Sequence, residues 1–181
     1  MAYNGGIRFT PDIYYEIKEM SESDIKVLRN GVEVSGDDWG ILRQLNNGTL
    51  TNLVVPDDIT SIGVYYEEDG VWYSPFPNCE SLESINLNKV TSIGGFSFNA
   101  CTSLTSVEMP EVTYIGGGAF GNCESLTSVI IDNTIPPTLD IDVFENTSPD
   151  LKIYVPASAV DTYKAASGWS DYASVIVAIG S

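Results

Sequence analysis

The chain has 181 residues, 43% hydrophobic and 18% charged, a composition that excludes disorder and is long enough for a packed core. Its 25 Asp and Glu against 8 Lys and Arg leave a net charge of −17, which argues against nucleic acid or an anionic membrane surface as a partner and favours solubility. With no histidine, Ser-His-Asp and Cys-His catalysis and histidine metal sites are excluded.

The opening MAYNGGIRFT has neither the basic start nor the apolar core of a signal peptide. No apolar run in the chain approaches the ~20 residues of a membrane span. Gly6 to Phe9 suit a short edge strand. Thr10 and Pro11 then predict a helix start, with Ile13, Tyr14, Ile17 and Met20 at helical spacing. Ser21 and Asp24 open a second predicted helix through Ile25, Val27 and Leu28, closed by Gly31. Val32 to Val34 read as a strand, and Asp37 or Asp38 caps a third helix with Trp39, Ile41, Leu42 and Leu45. Residues 1–49 are thus expected to be a helical cap.

From residue 50 the chain repeats. LTNLVVP at 50–56 is matched by LESINLN at 82–88, LTSVEMP at 104–110 and LTSVIID at 126–132. The first, fourth and sixth residues of each are apolar and should face inward. Cys79, Cys101 and Cys123 recur at a constant interval, and Phe76, Phe98 and Phe120 keep the same step, as do Ile93 and Ile115. A period in the twenties with apolar residues in phase is a solenoid signature. Between strands run ITSIG, VTSIG and VTYIG, whose Gly63, Gly94 and Gly116 allow a positive φ or a tight bend. The cysteines, without a C-x-x-C pair, are expected as buried free thiols in a ladder about one strand spacing apart. Pro56 and Pro110 end their strands.

One coil breaks the period. The interval from Leu50 to Leu82 is longer than the interval from Leu82 to Leu104 or from Leu104 to Leu126. The excess lies in VYYEEDGVWYSP, a predicted β-hairpin at 64–75 around Asp69-Gly70. Tyr65, Tyr66, Trp72 and Tyr73 on its arms and Glu67, Glu68 and Asp69 at its tip are the residue types of interfaces and sugar-binding surfaces. The alternative is that one arm packs on the neighbouring cap.

The pattern F-x-x-C-x-S-L-x-S-V-x-x-P-x-V-T-x-I-G resembles the BspA-type, or Treponema pallidum type, leucine-rich repeats over about Leu50 to Pro156. Past Ile131 the period loosens: Phe144 returns to the spine, Thr147 takes a cysteine's place, and LKIYVP adds a strand at 151–156. Ser158 is the expected N-cap of a helix AVDTYKAAS ending at Gly168, and WSDYASVIVAI is a last apolar stretch. This tail is similar to the ending of many proteins with such repeats, and should bury Tyr163, Trp169 and Tyr172 against the last coil.

The expected fold is therefore a β-rich α/β solenoid, a leucine-rich-repeat right-handed coil of about five turns. Its parts are a helical N-terminal cap at 1–49, repeats at 50–156, and a helix/strand C-terminal cap at 157–181.

Two outward rows cross the coils: Asn52, Ser84, Ser106, Ser128, and Val54, Asn86, Glu108, Ile130. They are either a solvated polar face or a shallow binding face. Candidate binding residues are Tyr65, Tyr66, Trp72, Tyr73, Asn86, Glu108 and Ile130. The Gly-Gly pairs at 94–95 and 116–118 recur with the repeat, so they read as turns and not phosphate cradles. Asp140, Asp142 and Glu145 lack EF-hand spacing and read as solvated loop acids, so no metal or cofactor is expected.

The resemblance implies a non-catalytic, surface-exposed binding or adhesion module. Its partner would be a protein or glycan on another surface, with no membrane insertion and with homo-oligomers allowed. Two settings fit, an extracellular bacterial surface and a phage virion (fibre or decoration), the second needing no signal peptide. The alternative is a glycan-processing enzyme using paired carboxylates such as Asp37/Asp38, Asp57/Asp58 or Glu67/Glu68/Asp69.

Overall fold

The structure is a computed structural model that describes residues 51–55, 60–62 and 79–181 in full. It also gives the backbone of strands at Asn4–Phe9 (β1), Ile13–Lys18 (β2), Lys26–Arg29 (β3), Val32–Glu33 (β4), Tyr65–Tyr66 (β7) and Trp72–Tyr73 (β8). The repeat strands are Asn52–Val54 (β5), Ser84–Asn86 (β9), Ser106–Glu108 (β11), Ser128–Ile130 (β13) and Lys152–Val155 (β15). Together with Ile176–Ala178 (β16) they form one parallel sheet in the order β16-β15-β13-β11-β9-β5. A second parallel sheet joins Ser61–Ile62 (β6), Ser92–Ile93 (β10), Tyr114–Ile115 (β12) and Thr138–Leu139 (β14).

The register is the period itself. Ser106 pairs with Ser84 and Ser128, and Ser92 with Tyr114, each partner standing one full repeat along the chain. Across the long insert Asn52 still pairs with Ser84, and Ser61 with Ser92. The insert therefore leaves both sheets in phase.

The predicted inward residues form the core. Leu82, Ile85 and Leu87, then Leu104, Val107 and Met109, then Leu126, Val129 and Ile131 are all buried. Each such side chain contributes about 1.5–3 kcal/mol from burial. Phe98, Phe120 and Phe144 stack face to face through the middle, with ring centroids 5.3 and 5.7 Å apart and planes within 9° of parallel. Cys79, Cys101 and Cys123 are buried and form no disulfide, as the ladder reading requires, and Cys123 Sγ donates to Phe98 O at 3.2 Å. Thr147 follows them with its hydroxyl on Phe144 O at 3.0 Å.

The segment carrying the phenylalanines is hydrogen-bonded from coil to coil. Phe96, Phe98 and Ala100 donate their N–H groups to Gly117 O, Ala119 O and Gly121 O at 2.8–3.0 Å, and Gly118, Phe120 and Asn122 repeat this one coil on. Left-handed backbone recurs in phase at Phe96, Gly118 and Asp142 and at Ala100, Asn122 and Asn146. Of the two alternatives given for Gly94 and Gly116, a positive φ is adopted at neither. At Gly116 the requirement is space: a Cβ would stand 2.4 Å from Gly95 N. Gly63, Leu50, Pro56 and Phe76 lie outside the described residues.

Two of the helices expected in the N-terminal cap are also corrected. Residues 13–18 and 26–29 are strands β2 and β3 of an antiparallel sheet ordered β1-β2-β3-β4. Ile13 and Ile17 are four apart, a step that fits one face of a strand as well as one face of a helix. The β-branched and aromatic content of Ile13-Tyr14-Tyr15 favours the strand. The expected strands at Gly6–Phe9 and Val32–Val34 correspond to β1 and β4. The third helix, at Trp39 to Leu45, lies outside the described residues.

At the C-terminus a 3₁₀ turn at Ala157–Ala159 leads into helix α1, Val160–Ala165. Ser158 sits inside that turn and makes no cap bond; the backbone bond from Ala159 N to Pro156 O, 2.8 Å, closes the turn instead. The helix stops before Gly168, which at φ 79 opens a second 3₁₀ turn, Trp169–Tyr172. Tyr163 and Trp169 are fully buried, and Tyr172 packs half-buried beside them. Their polar atoms are satisfied, with the Tyr163 hydroxyl on Asn133 O at 2.9 Å and Trp169 Nε1 on Pro137 O at 2.7 Å.

Phe120→Ala should lower the unfolding free energy by about 3–5 kcal/mol in a urea titration, since it leaves a gap between two stacked rings. The thiols predict a pH dependence. Burial pushes Cys123 up to about 12 from its ordinary 9.0, and a hydrogen bond with Cys79 together with burial also raises Cys101. The unfolded thiols ionise first, so the stability they contribute is complete below pH 9.0 and falls as pH rises towards 12. Urea midpoints from pH 8 upward should show that decline, and Cys123→Ser should make it less steep while Cys101 keeps the remainder.

Candidate binding site

The outward side of the six-stranded sheet is built from the two predicted rows, aligned by the strand register. The first row continues to Lys152, and the second to Tyr154 and Val177. In the first, Ser84 Oγ donates to Asn52 Oδ1 at 2.6 Å. In the second, Val54 is 58% exposed, and Asn86 Nδ2 donates to Glu108 Oε2 at 2.9 Å. Beside the first row Thr105 and Thr127 direct their hydroxyls to the carbonyls of Glu83 and Thr105 on the coil before. The face is thus ordered by side-chain bonds running in the same direction as the backbone ladder.

The second row lines an open depression of about 350 Å³ at the C-terminal ends of three successive strands. Asn86, Glu108 and Ile130, all named from sequence, meet there with Asn88, Pro110 and Asp132. The latter three stand two residues further along each coil, just past the strand ends, where Asn88 has a left-handed backbone at φ 33. The repeat shows that the three share a phase, but their place beside the outward row depends on the turn that follows each strand. Asn88 is held firmly, its N–H on Asn86 Oδ1 at 2.9 Å and its Nδ2 on Val55 O at 2.8 Å. Beyond the depression, Lys89 pairs with Glu111.

The aromatic insert is a hairpin in its backbone, with Tyr65 opposite Tyr73 and Tyr66 opposite Trp72. Glu67, Glu68, Asp69, Asp57, Asp58, Asp37 and Asp38 lie outside the described residues. Asp140, Asp142 and Glu145 are exposed, and Asp140 accepts from Ile141 N at 2.8 Å. Among the described residues no group of three His, Cys, Asp or Glu could hold a metal.

A second exposed feature carried no mark in the sequence. Phe96, 59% exposed, lies over Gly118, where a Cβ would come within 2.7 Å of its ring; Ile141, 73% exposed, stands beside Gly117. Phe96 belongs to the turn that also carries the spine, where phenylalanine at Phe98 reads as core.

Residues 44–165 match the family model described as "BspA type Leucine rich repeat region", in six copies. No curated protein is significantly similar to the chain. Among solved structures, one similar chain is a leucine rich cell surface protein from Faecalibacterium prausnitzii A2-165. It is 20% identical with a TM-score of 0.41, over 88% of this chain and 44% of that one. Another is the pneumococcal vaccine antigen PcpA, 14% identical with a TM-score of 0.33, over 88% of this chain and 52% of that one. The chain spans about half the length of these structures.

Asn86→Ala should cost about 0.5–1.5 kcal/mol in urea unfolding, because it removes the bonds to the half-buried Asn88 N–H and to the exposed Glu108 carboxylate, which water then solvates. Ser84→Ala, on the first row, should cost less than half as much.

Proposed function

The chain belongs to the BspA-type leucine-rich-repeat family, and from that premise we propose that it is a non-catalytic binding module displayed at an extracellular surface. It recognises a protein or glycan on another surface through the outward side of its long sheet. The observation that carries this reading is the depression spanning three coils, lined by side chains from each and set on a rigid backbone. Repeat solenoids use extended faces of this kind for recognition. The depression is open, whereas glycan hydrolysis needs two carboxylates set across a cleft that encloses the bond, so binding suits this face better.

The module is carried either by a bacterial cell or by a virion, as a fibre or decoration. Oligomeric state separates the two. Light scattering of the purified chain giving a stable trimer or larger assembly supports the virion, and a monomer supports the cell surface.

The hairpin is the second reading, favoured by its antiparallel pairing of Tyr65 with Tyr73 and Tyr66 with Trp72. Adhesion of labelled protein to immobilised cells or to a glycan array discriminates the two. Glu108→Lys should reduce adhesion at least about fivefold if the sheet binds, as loss of a charged contact does. Adhesion that survives Glu108→Lys but is lost on joint replacement of Tyr65, Trp72 and Tyr73 by Ser transfers the site to the hairpin.

A further inference from the structure

The hydrogen-bonding capacity left in the depression specifies its occupant. We propose that it receives a cationic side chain, lysine or arginine, projecting from a protein partner; this rests on the reading of the sheet as the binding face. Each of the two asparagines there has one amide N–H already committed. Asn86 donates to Glu108 Oε2 and accepts from the Asn88 N–H, while the Asn88 amide is drawn back to Val55 O. The capacity that remains is mainly that of acceptors, the carboxylates of Glu108 and Asp132, which adjacent coils supply. Among the described residues no lysine or arginine lines the depression to neutralise them.

An occupant must therefore bring donors and positive charge. A lysine or arginine does both, and its aliphatic stem has Ile130 and Pro110 to lie against. Phosphate, sulfate and carboxylate ligands are repelled. A neutral sugar needs donors as well as acceptors, and the asparagines keep one amide N–H each to offer beside two carboxylates. The setting acts in the same direction. From residue 79 onward the cations are Lys89, Lys152 and Lys164, in a chain of net charge −17, so the approach of a basic partner is favoured at long range. Glu108 and Asp132 are exposed, so the attraction weakens with salt.

The test follows the side-chain amide resonances of Asn86 and Asn88 in the isotope-labelled full chain. The probes are acetyl-Gly-Arg-Gly amide, the same peptide with neutral, isosteric citrulline, and maltotriose. The arginine peptide should shift both amides saturably and bind about tenfold tighter than the citrulline peptide, as a charge-assisted contact requires. Added salt should weaken it. The double variant Glu108→Gln with Asp132→Asn, whose dispersed spectrum reports an intact fold, should erase the preference. Equal shifts from the two peptides, or none from any probe, overturn the assignment. Maltotriose shifting these amides while the arginine peptide is silent also overturns it, yet leaves the sheet as a binding face. Failure of the face itself is read separately, from adhesion that survives Glu108→Lys.

Discussion

Each coil lies directly on the one before, and the other features of the described solenoid depend on that parallel register. A step of one repeat brings identical sequence positions into line, so one coil's N–H groups meet the next coil's carbonyls in both sheets and in the segment between. The aligned side chains then stack on their own kind. Phenylalanine rings come within 6 Å of each other's centroids, thiol sits beside thiol, and threonine hydroxyls reach the preceding coil's carbonyls. Because the spacing is set by the backbone, a larger group at a crowded position has nowhere to go, and at Gly116 even one carbon is too much.

The same register makes the outer surface. A row is one sequence position read down several coils, so its chemistry changes by a single substitution per coil. Serine repeats along the first row and gives an even polar strip. Asparagine, glutamate and isoleucine succeed one another along the second, and these residues line the depression. Specificity on such a face comes from where the repeat is broken in composition while unbroken in geometry. The insert at 64–75 is the opposite case, a break in length that leaves the register on either side of it intact.

The C-terminal end shows how the stack is closed. An exposed core face beyond Phe144 is covered by Trp169 and Tyr172, whose rings meet it at an angle in place of the parallel stacking within the coils. Tyr163 meets Trp169 edge-on, and both spend their polar atoms on carbonyls between Asn133 and Pro137. β16 then adds a sixth parallel strand beside β15, so the cap continues the ladder as well as covering the core.

The sequence alone determined the repeat, its period, the inward residues and the two outward rows, because each of these is a one-dimensional consequence of backbone periodicity. Cys101, Phe120, Leu126 and Val129 could be placed in the core without coordinates since all copies obey one phase. Strand β2 escapes a sequence reading because Ile13 and Ile17 satisfy the helical and the extended period alike, and pairing with β1 and β3 decides between them. Ser158 has cap chemistry, but the backbone closes that turn itself. Asn88, Pro110 and Asp132 joined the candidate site only in three dimensions. The sequence shows which residues share a side, whereas the depth between neighbouring rows depends on how side chains of unequal size and hydrogen-bonding habit settle against one another. Asn86 bonding to Glu108 on the next coil, with Asn88 tied to Val55, is an outcome of that packing.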